Sequence, residues 1–243
     1  MPIHLSIIIP AYNEEKRIGE TLRQILEYLK KQDYNWEVIV VDDASDDETS
    51  KIVQAAGSGI KIIHNPKNFG KGYAVRVGML RSSGDYCLMM DADNSTPIGQ
   101  IENLWKYAGP EVIVIGSRYK DPSSVKIQQP KYRVALGRFA NWIIQKLIVA
   151  GVVDTQCGFK LFPKELAQEL FARQTINRWG FDFEILGMAA RFGYDIKEIP
   201  VAWFHAGSSR VRPIRAYPKT LLELLKIKWR FMTGKYKEKN GSW

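Results

Sequence analysis

Two carboxylates that follow a short apolar run are the residues in this sequence best suited to chemistry. Asp91 and Asp93 stand two positions apart directly after Met89 and Met90, so both side chains fall on the same side of an extended chain. Carboxylate pairs of this kind bind Mg²⁺ or Mn²⁺, and the bound ion neutralises a diphosphate. The pair therefore predicts a metal site for a phosphorylated ligand. The alternative is an aspartate-rich turn that caps the helix predicted at Pro97.

A second acidic pair and a glycine-containing loop add to this prediction. Asp42 and Asp43 end a β-branched run, and carboxylates there suit a nucleobase or the hydroxyls of a ribose, with capping of the next helix as an alternative role. Residues 65–72 (NPKNFGKG) place Lys67 and Lys71 in a loop that opens a helix, a position that favours anions. The loop lacks the spacing of a Walker loop, and turn formation alone also explains its glycines.

Zinc and covalent nucleophilic chemistry find no support in the sequence. The three histidines, His4, His64 and His205, share no metal-ligand spacing. No serine lies in a G-x-S-x-G motif. The two cysteines, Cys87 and Cys157, indicate reduced, apolar residues of a cytosolic protein rather than a disulfide framework.

The elements that must position these residues alternate in the first half of the chain. Hydrophobic periodicity predicts strands over 5–10, 38–41, 60–63, 86–90 and 112–115. It predicts helices over 18–31, 48–56, 73–81 and 97–107, the last with Thr96 as N-cap and Pro97 as its first residue. This alternation favours an α/β fold with a doubly wound, mainly parallel sheet, whose ligands bind at the carboxyl ends of the strands.

The second half is less regular. It contains an amphipathic helical stretch over 132–149, an irregular segment over 154–160, helical patterns over 163–171 and 181–192, and a strand near 196–201. We find no repeat and no low-complexity linker. The organisation predicted is one catalytic domain over 1–206 followed by a basic, amphipathic C-terminal extension over 207–243.

Charge is divided unevenly along the chain. The 243 residues include 35 Lys and Arg against 26 Asp and Glu, a net charge of +9. Residues 1–122 hold 14 basic and 17 acidic side chains, whereas residues 123–243 hold 21 basic and 9 acidic. A basic second half indicates a polyanionic partner, which leaves nucleic acid, a phosphorylated small molecule and an anionic membrane open. No run approaches the roughly 20 apolar residues of a spanning helix, and no targeting segment is expected.

Five segments in this order resemble the family 2 glycosyltransferases of the GT-A fold. They are residues 10–14 (PAYNE), 41–47 (VDDASDD), 68–72 (NFGKG), 91–93 (DAD) and 116–118 (GSR). Two further segments, 154–160 (DTQCGFK) and 178–184 (RWGFDFE), are similar to the dolichyl-phosphate glucosyltransferases, which are close to the polyprenyl-phosphate mannose synthases. The family usually has Gly-Ser after its first acidic pair, where this chain has Ala44 and Ser45.

The resemblance implies an inverting enzyme on the cytosolic face of a membrane that moves a sugar from a nucleotide donor to a polyprenyl or dolichyl phosphate. UDP-glucose is the expected donor, with GDP-mannose as the alternative. The metal would be Mg²⁺ or Mn²⁺ on Asp91 and Asp93, and Arg118 would lie near the phosphates. The residues implied for the donor are Pro10, Tyr12, Glu14, Asp42, Asp43, Lys67, Lys71 and Asp91.

The acceptor is either a phosphate or a sugar hydroxyl of a polysaccharide or glycolipid. A phosphate is already an anionic nucleophile and needs no general base, whereas a hydroxyl needs one. Asp182 and Glu184 are the candidates for that base, and together with Asp93 and Arg118 they complete the predicted catalytic set. Their alternative role is to hold Arg178 or a neighbouring lysine.

Basic side chains of the second half indicate the acceptor side and the membrane. Guanidinium groups bind phosphate in a bidentate manner, so the candidates for the lipid phosphate are Arg133, Arg138, Asn141, Ser209 and Arg210. From Gly207 onward, ten Lys and Arg against two acidic residues are mixed with leucines, Trp229 and Phe231. This predicts a helix in an anionic membrane interface with both aromatic rings at headgroup level. A membrane partner subunit for anchoring stays open, and a non-catalytic nucleic-acid-binding protein is the remote alternative.

Overall fold

A seven-stranded sheet forms the centre of the molecule. The computed structural model describes residues 2–121, 123, 131–204 and 213–236. The strands are β1 (Leu5–Ala11), β2 (Trp36–Asp42), β3 (Ile60–His64), β4 (Tyr86–Met90), β5 (Val112–Ser117), β6 (Phe159–Pro163) and β7 (Asp195–Pro200). They lie in the order β3-β2-β1-β4-β6-β5-β7, and all pairs are parallel except the two that involve β6. The predicted doubly wound, mainly parallel sheet is confirmed.

Helices cover both faces of this sheet. They are α1 (Ile18–Leu29), α2 (Thr49–Ala55), α3 (Lys71–Arg81), α4 (Ile101–Trp105), α5 (Lys131–Leu147), α6 (Lys164–Arg173), α7 (Phe181–Arg191) and α8 (Pro213–Met232). Alternate residues of β1 enter different cores, since Ile7 and Ile9 pack with α1 and α4, whereas Ile8 packs with α3, α6 and α7. A sheet buried on both faces explains why its strands are nearly continuous apolar runs.

β6 is a strand that the sequence pattern did not predict. The segment 154–160 was expected to be irregular, but from Phe159 the chain enters the sheet between β4 and β5 and pairs antiparallel with both. Lys160 interrupts the apolar run and Pro163 ends it, so the local pattern is weak and pairing on both sides determines the structure. As a result, the residues just before β6 lie at the edge where β4 and β5 end.

The helix expected over 97–107 begins later and is shorter. Pro97 has φ −59° and ψ 141°, an extended conformation, so it precedes the helix instead of opening it. A 3₁₀ turn at Ile98–Gln100 leads into α4, and Thr96 is not the N-cap. The predicted cap was wrong because Ser95 and Thr96 belong to the loop that follows the aspartate pair.

α8 packs one of its faces into the protein core. Leu224, Ile227 and Phe231 join the cluster that α6 and α7 build, together with Tyr236 from the turn that follows α8. Phe231 is only 9% exposed and lies under the guanidinium of Arg191 at 3.7 Å, so the prediction that it reaches headgroup level was wrong. The predicted boundary at 206/207 lies outside the described residues.

Candidate active site

The functional residues meet at one edge of the sheet. β1, β2, β4, β5 and β7 run in the same direction, so the segments that follow them emerge together, and the residues before β6 join them there. Open α/β sheets bind ligands at this edge because the loops leave a crevice between them.

Asp91 lies between a lysine and a glycine at this edge. Lys71 Nζ is 2.6 Å from Asp91 Oδ1. A Cβ atom added to Gly158 would come within 1.9 Å of Asp91 Oδ2, so a residue with a side chain does not fit there. The segment that the resemblance singled out at 154–160 thus forms the wall behind the first carboxylate of the aspartate pair.

Asp93 is connected to the loop after β1. Arg17 Nη1 is 3.7 Å from Asp93 Oδ2, and Arg17 Nε donates to Glu14 Oε2 at 2.8 Å. Asp93 Oδ1 accepts a hydrogen bond from the Ser95 amide at 3.0 Å, which holds the turn. Sequence reasoning missed Arg17, although its place three residues after Glu14 at the start of α1 is the spacing of a helical ion pair.

Asp43 anchors the glycine-containing loop. Its Oδ1 accepts from the side chain of Asn65 at 2.8 Å and from the Phe69 amide at 3.1 Å, and its Oδ2 accepts from the Gly70 amide at 2.7 Å. The residue is 2% exposed. The carboxylate predicted to hold a ribose therefore shapes the loop that carries Lys71.

The same loop presses closely on the segment before α7. Gly70 has φ +109°, and a Cβ there would lie 2.7 Å from the Asn177 carbonyl oxygen. Lys67 extends over the ring of Phe69 at 5.1 Å, whereas Lys71 lies 5.5 Å from the ring of Trp179. The two lysines therefore differ, because only Lys71 reaches the aspartate pair.

Asp42 and the loop after β1 form the other side of the edge. Burial acts to raise the pKa of Asp42, but hydrogen bonds from Ser45 and Ser50 outweigh it and lower the pKa below its ordinary value. Pro10 pairs in register with Val41, and Tyr12 is 42% exposed just beyond β1. Tyr12 is thus accessible to a ligand, whereas the Asp42 carboxylate is occupied by the protein.

Arg118 is held by a buried carboxylate. Its Nε and Nη2 donate to Asp154 at 2.8 and 2.7 Å, and the rings of Tyr119 and Trp203 lie 5.3 and 5.6 Å from its guanidinium. Burial acts to raise the pKa of Asp154, but Arg118 outweighs it and the pKa falls. Glu198 accepts from the Asp154 amide at 2.7 Å and so positions the pair.

Only part of the predicted acceptor set is described. The guanidinium of Arg138 lies 5.8 Å from the Tyr119 ring, which Arg118 also approaches. Arg138 is exposed. Asn141 is buried and accepts from the Thr155 hydroxyl at 2.9 Å. The side chain of Arg133, as well as Ser209 and Arg210, lie outside the described residues.

Asp182 forms a buried ion pair with a lysine in the sheet. Lys160 Nζ donates to Asp182 Oδ1 at 2.5 Å and to the Cys157 carbonyl at 2.6 Å. Burial raises the pKa of Asp182, and the attraction of Lys160 and Lys71 offsets only part of that effect. Sequence reasoning missed Lys160, although a single cation inside an apolar strand signals a buried partner.

Glu184 is engaged in holding the backbone. It is 0% exposed and accepts from the Thr175 hydroxyl at 2.5 Å, from the Ile176 amide at 2.9 Å and from Tyr236 Oη at 2.5 Å. The structure therefore separates the two candidate bases, since Asp182 faces Lys160 and Glu184 fixes the chain before α7 and the turn after α8.

The aspartate pair fits a metal that the ligand helps to bind. Among the described residues, no three His, Cys, Asp or Glu side chains gather as a complete metal site. Mg²⁺ keeps several waters and takes one or two carboxylates together with substrate phosphates, so two aspartates are the expected protein contribution. The side chains of Asp91 and Asp93 are 35% and 27% exposed, so the pair is partly open to solvent at this edge.

Comparison with known sequences assigns the chain to a family. A model of glycosyl transferase family 2 matches residues 6–171, which include β1 to β6 and the aspartate pair. The chain belongs to this family. It is therefore a glycosyltransferase, and the predicted resemblance is confirmed.

Three curated relatives within the family share one name. The chain is 36% identical over 250 residues to the dolichyl-phosphate beta-glucosyltransferase of Homo sapiens, covering 96% of this chain and 77% of that one. It is 34% identical to the Dictyostelium discoideum protein of the same name, covering 98% and 78%. The Saccharomyces cerevisiae protein of that name is 30% identical, with 97% and 77% covered.

Solved structures confirm the GT-A type of fold. The Mycobacterium tuberculosis glucosyl-3-phosphoglycerate synthase in complex with Mn²⁺, UDP-glucose and phosphoglyceric acid superposes with a TM-score of 0.68 at 18% identity, covering 93% of this chain and 80% of that one. Mannosyl-3-phosphoglycerate synthase from Rubrobacter xylanophilus gives 0.65 at 14% identity, with 98% and 76% covered.

Proposed function

We propose that this glycosyltransferase moves glucose from UDP-glucose to dolichyl phosphate or a related polyprenyl phosphate, with inversion at the anomeric carbon. The observation that carries the proposal is the meeting of Asp91, Asp93 and Lys71 at the strand ends of a chain whose curated relatives bear the dolichyl-phosphate beta-glucosyltransferase name. In the reaction, an acceptor phosphate oxygen bonds to the anomeric carbon as the bond to the donor phosphate breaks. The electron pair leaves with UDP.

The donor side supplies positive charge for the leaving group. Asp91 and Asp93 would hold Mg²⁺ or Mn²⁺, which stabilises the charge that develops on the departing diphosphate. Lys71 lies beside Asp91 at 2.6 Å, at the amino end of α3, where anions are favoured. We propose that Tyr12, which is exposed just beyond β1, contacts the nucleoside.

The carboxylate environments favour a phosphate acceptor over a hydroxyl. Asp182 is paired with Lys160, and Glu184 holds backbone amides, so both candidate bases already have structural roles within the protein. A phosphate nucleophile needs no base. Arg138 and Arg118, together with Arg133, Ser209 and Arg210, are the groups we propose for the lipid phosphate, since guanidinium groups match its oxygens.

The lipid acceptor requires contact with a membrane, which we propose is peripheral and on the cytoplasmic face. Among the described helices, none combines the length and apolar content of a bilayer-spanning segment. The outward face of α8 carries exposed apolar side chains that support interfacial binding. They are Leu221, Leu222, Leu225, Trp229 and Met232.

Glycolipid synthesis from purified components tests the proposal. The protein is incubated with UDP-glucose or GDP-mannose, Mg²⁺ or Mn²⁺ and a short polyprenyl phosphate, and the extracted lipid is analysed for sugar. We expect glucosyl lipid from UDP-glucose, and a loss of at least about a hundredfold in Asp93→Asn because transition-state charge is no longer offset.

The matched control is Asp85→Asn, an exposed aspartate before β4 at the opposite edge of the sheet. It should retain turnover. Absence of product from every donor, or undiminished turnover in Asp93→Asn, would contradict the proposed mechanism. Product from GDP-mannose alone would replace glucose with mannose.

A further inference from the structure

The ion pair between Lys71 and Asp91 occupies the carboxylate that a metal would use. Lys71 Nζ is 2.6 Å from Asp91 Oδ1, and the two side chains are 17% and 35% exposed. The other oxygen, Oδ2, faces Gly158 so closely that a Cβ there would overlap it. A cation that approaches Asp91 therefore meets an ammonium group on one side and the chain on the other.

Two neighbouring side chains hold the Lys71 ammonium group near this carboxylate. The Asp91 carboxylate attracts the ammonium group of Lys71 at 2.6 Å, and both side chains are only partly exposed. The Trp179 ring lies 5.5 Å from Nζ and covers it on another side. A charged ammonium in this position both competes with a divalent cation for Asp91 and repels that cation.

A nucleoside diphosphate offers Lys71 a second partner. The lysine opens α3, and the amino end of a helix attracts phosphate groups. A diphosphate carries more negative charge than one carboxylate, so it attracts an ammonium group more strongly.

We propose that Lys71 blocks metal binding to Asp91 in the free protein. When the nucleotide binds, the Lys71 ammonium pairs with the diphosphate instead, so that the metal binds tightly only together with the nucleotide. The inference rests on the proposed metal- and nucleotide-dependent function. Thermodynamic reciprocity follows, because a nucleotide that tightens metal binding is itself bound more tightly by the same factor when the metal is present.

Binding of Mn²⁺, measured by electron paramagnetic resonance of the free ion, tests this without relying on turnover. The full chain is titrated with and without UDP. In the unmodified protein we expect UDP to tighten Mn²⁺ binding by about tenfold or more, within the range of ordinary coupling between sites. In Lys71→Gln, Mn²⁺ binding without UDP should be about tenfold tighter than in the unmodified protein, and the further effect of UDP should shrink.

Three variants complete the comparison. Lys71→Met repeats the charge removal with a side chain that keeps packing under Trp179, and serves if the glutamine variant does not fold. Lys71→Arg keeps the charge and should retain the behaviour of the unmodified protein. Lys51→Gln removes the same charge from an exposed lysine of α2, paired with Glu48, and should leave Mn²⁺ binding unchanged.

Two different failures can be told apart. In the first failure, UDP tightens Mn²⁺ binding, but the folded Lys71→Gln and Lys71→Met proteins bind Mn²⁺ alone no better than the unmodified protein. This result would overturn the proposal that Lys71 blocks metal binding, and the metal-dependent function would stand. If no protein binds Mn²⁺ even with UDP, the metal in the proposed function is overturned as well.

Discussion

At the scale of residues, three cations of the site already pair with carboxylates within the protein. Lys71 pairs with Asp91, Arg118 with Asp154 and Lys160 with Asp182. Burial of an unpaired charge costs several kcal/mol, so these pairs maintain the site when no ligand is present. We therefore expect a charged substrate to compete with these carboxylates for the cations, and we expect single changes of charge or volume to affect the site.

Gly158 is predicted to be essential for activity because there is no space for a side chain at this position. In Gly158→Ala, the new Cβ would overlap Asp91 Oδ2 at 1.9 Å and push the carboxylate away. A displacement of about 1 Å in a reacting site costs about a hundredfold in rate, so we expect kcat/KM to fall by about that factor. Steady-state glycolipid formation measures it.

The control is Gly99→Ala, where an added Cβ has nothing within 4 Å. It should behave as the unmodified protein does. Full activity in Gly158→Ala would show that Asp91 does not need its present position.

Glu184→Gln is predicted to weaken the fold more than the chemistry. The buried carboxylate accepts hydrogen bonds from Thr175, Ile176 and Tyr236, and replacing one oxygen by an amide group leaves donors unmatched. We expect the free energy of unfolding, measured in urea, to fall by about 1–3 kcal/mol. Turnover of the folded protein should stay within a few-fold of the original.

Glu165→Gln, at an exposed position of α6, is the control and should change neither quantity. Near-complete loss of turnover in folded Glu184→Gln would instead identify this residue as a base and favour a hydroxyl acceptor.

At the scale of elements, β6 and α8 complete the site from the second half of the chain. The reversed direction of β6 brings Gly158 to Asp91 and Lys160 to Asp182. α8 is tied to the start of α7, since Glu223 Oε2 accepts from the Gly180 amide at 2.8 Å. The segment before β6 therefore contacts the aspartate pair, and α8 is fixed to the start of the helix that carries Asp182.

Packing of α8 predicts a contrast between its two faces. Ile227 is 0% exposed in the core, whereas Leu222 is 67% exposed. Ile227→Ala should lower the free energy of unfolding by about 2–5 kcal/mol because it leaves a cavity. Leu222→Ala should change it by no more than about 0.5 kcal/mol. Urea denaturation compares them, and equal effects would mean that α8 does not pack as described.

At the scale of the whole molecule, α5 carries a second exposed apolar pair in addition to the outward face of α8. Phe139 and Trp142 on α5 are 60% and 54% exposed and stack at 6.0 Å. Ile148, the residue after α5, and Phe231 of α8 both approach Gly187 of α7, where an added Cβ would lie 2.5 Å from Ile148 and 3.1 Å from Phe231. Together with the basic second half of the chain, these features favour an anionic lipid surface as the partner. Binding to nucleic acid would leave the exposed apolar side chains unexplained.

Leu222→Glu is predicted to weaken membrane binding. Burying a leucine contributes about 1.5–3 kcal/mol, so replacing it with a charge should reduce binding to vesicles that contain phosphatidylserine by at least about tenfold. Co-sedimentation with vesicles measures it. Tyr107→Glu, which is 49% exposed after α4, is the control and should bind as before. Equal binding by both variants would contradict the role of α8.

Much of the fold could be predicted because most of its strands and helices show a hydrophobic pattern among neighbouring residues. The strand over 86–90 and the carboxylates after it are where the apolar run placed them. β6 was not predictable in the same way, because Lys160 breaks its pattern and pairing partners on both sides decide its conformation. Likewise, the sequence predicted α8 to be an amphipathic extension outside the core. Apolar residues that pack into a core and apolar residues that face outward form the same pattern in a sequence.

The sequence by itself determined which carboxylates and cations stand at strand ends, since hydrophobic periodicity is a local property of the chain. Only the tertiary structure decided how they pair. Arg118 meets Asp154 across 36 positions and Lys160 meets Asp182 across 22. Pairing at such separations depends on strand order, burial and the need of each buried charge for a partner, and these are properties of the folded molecule.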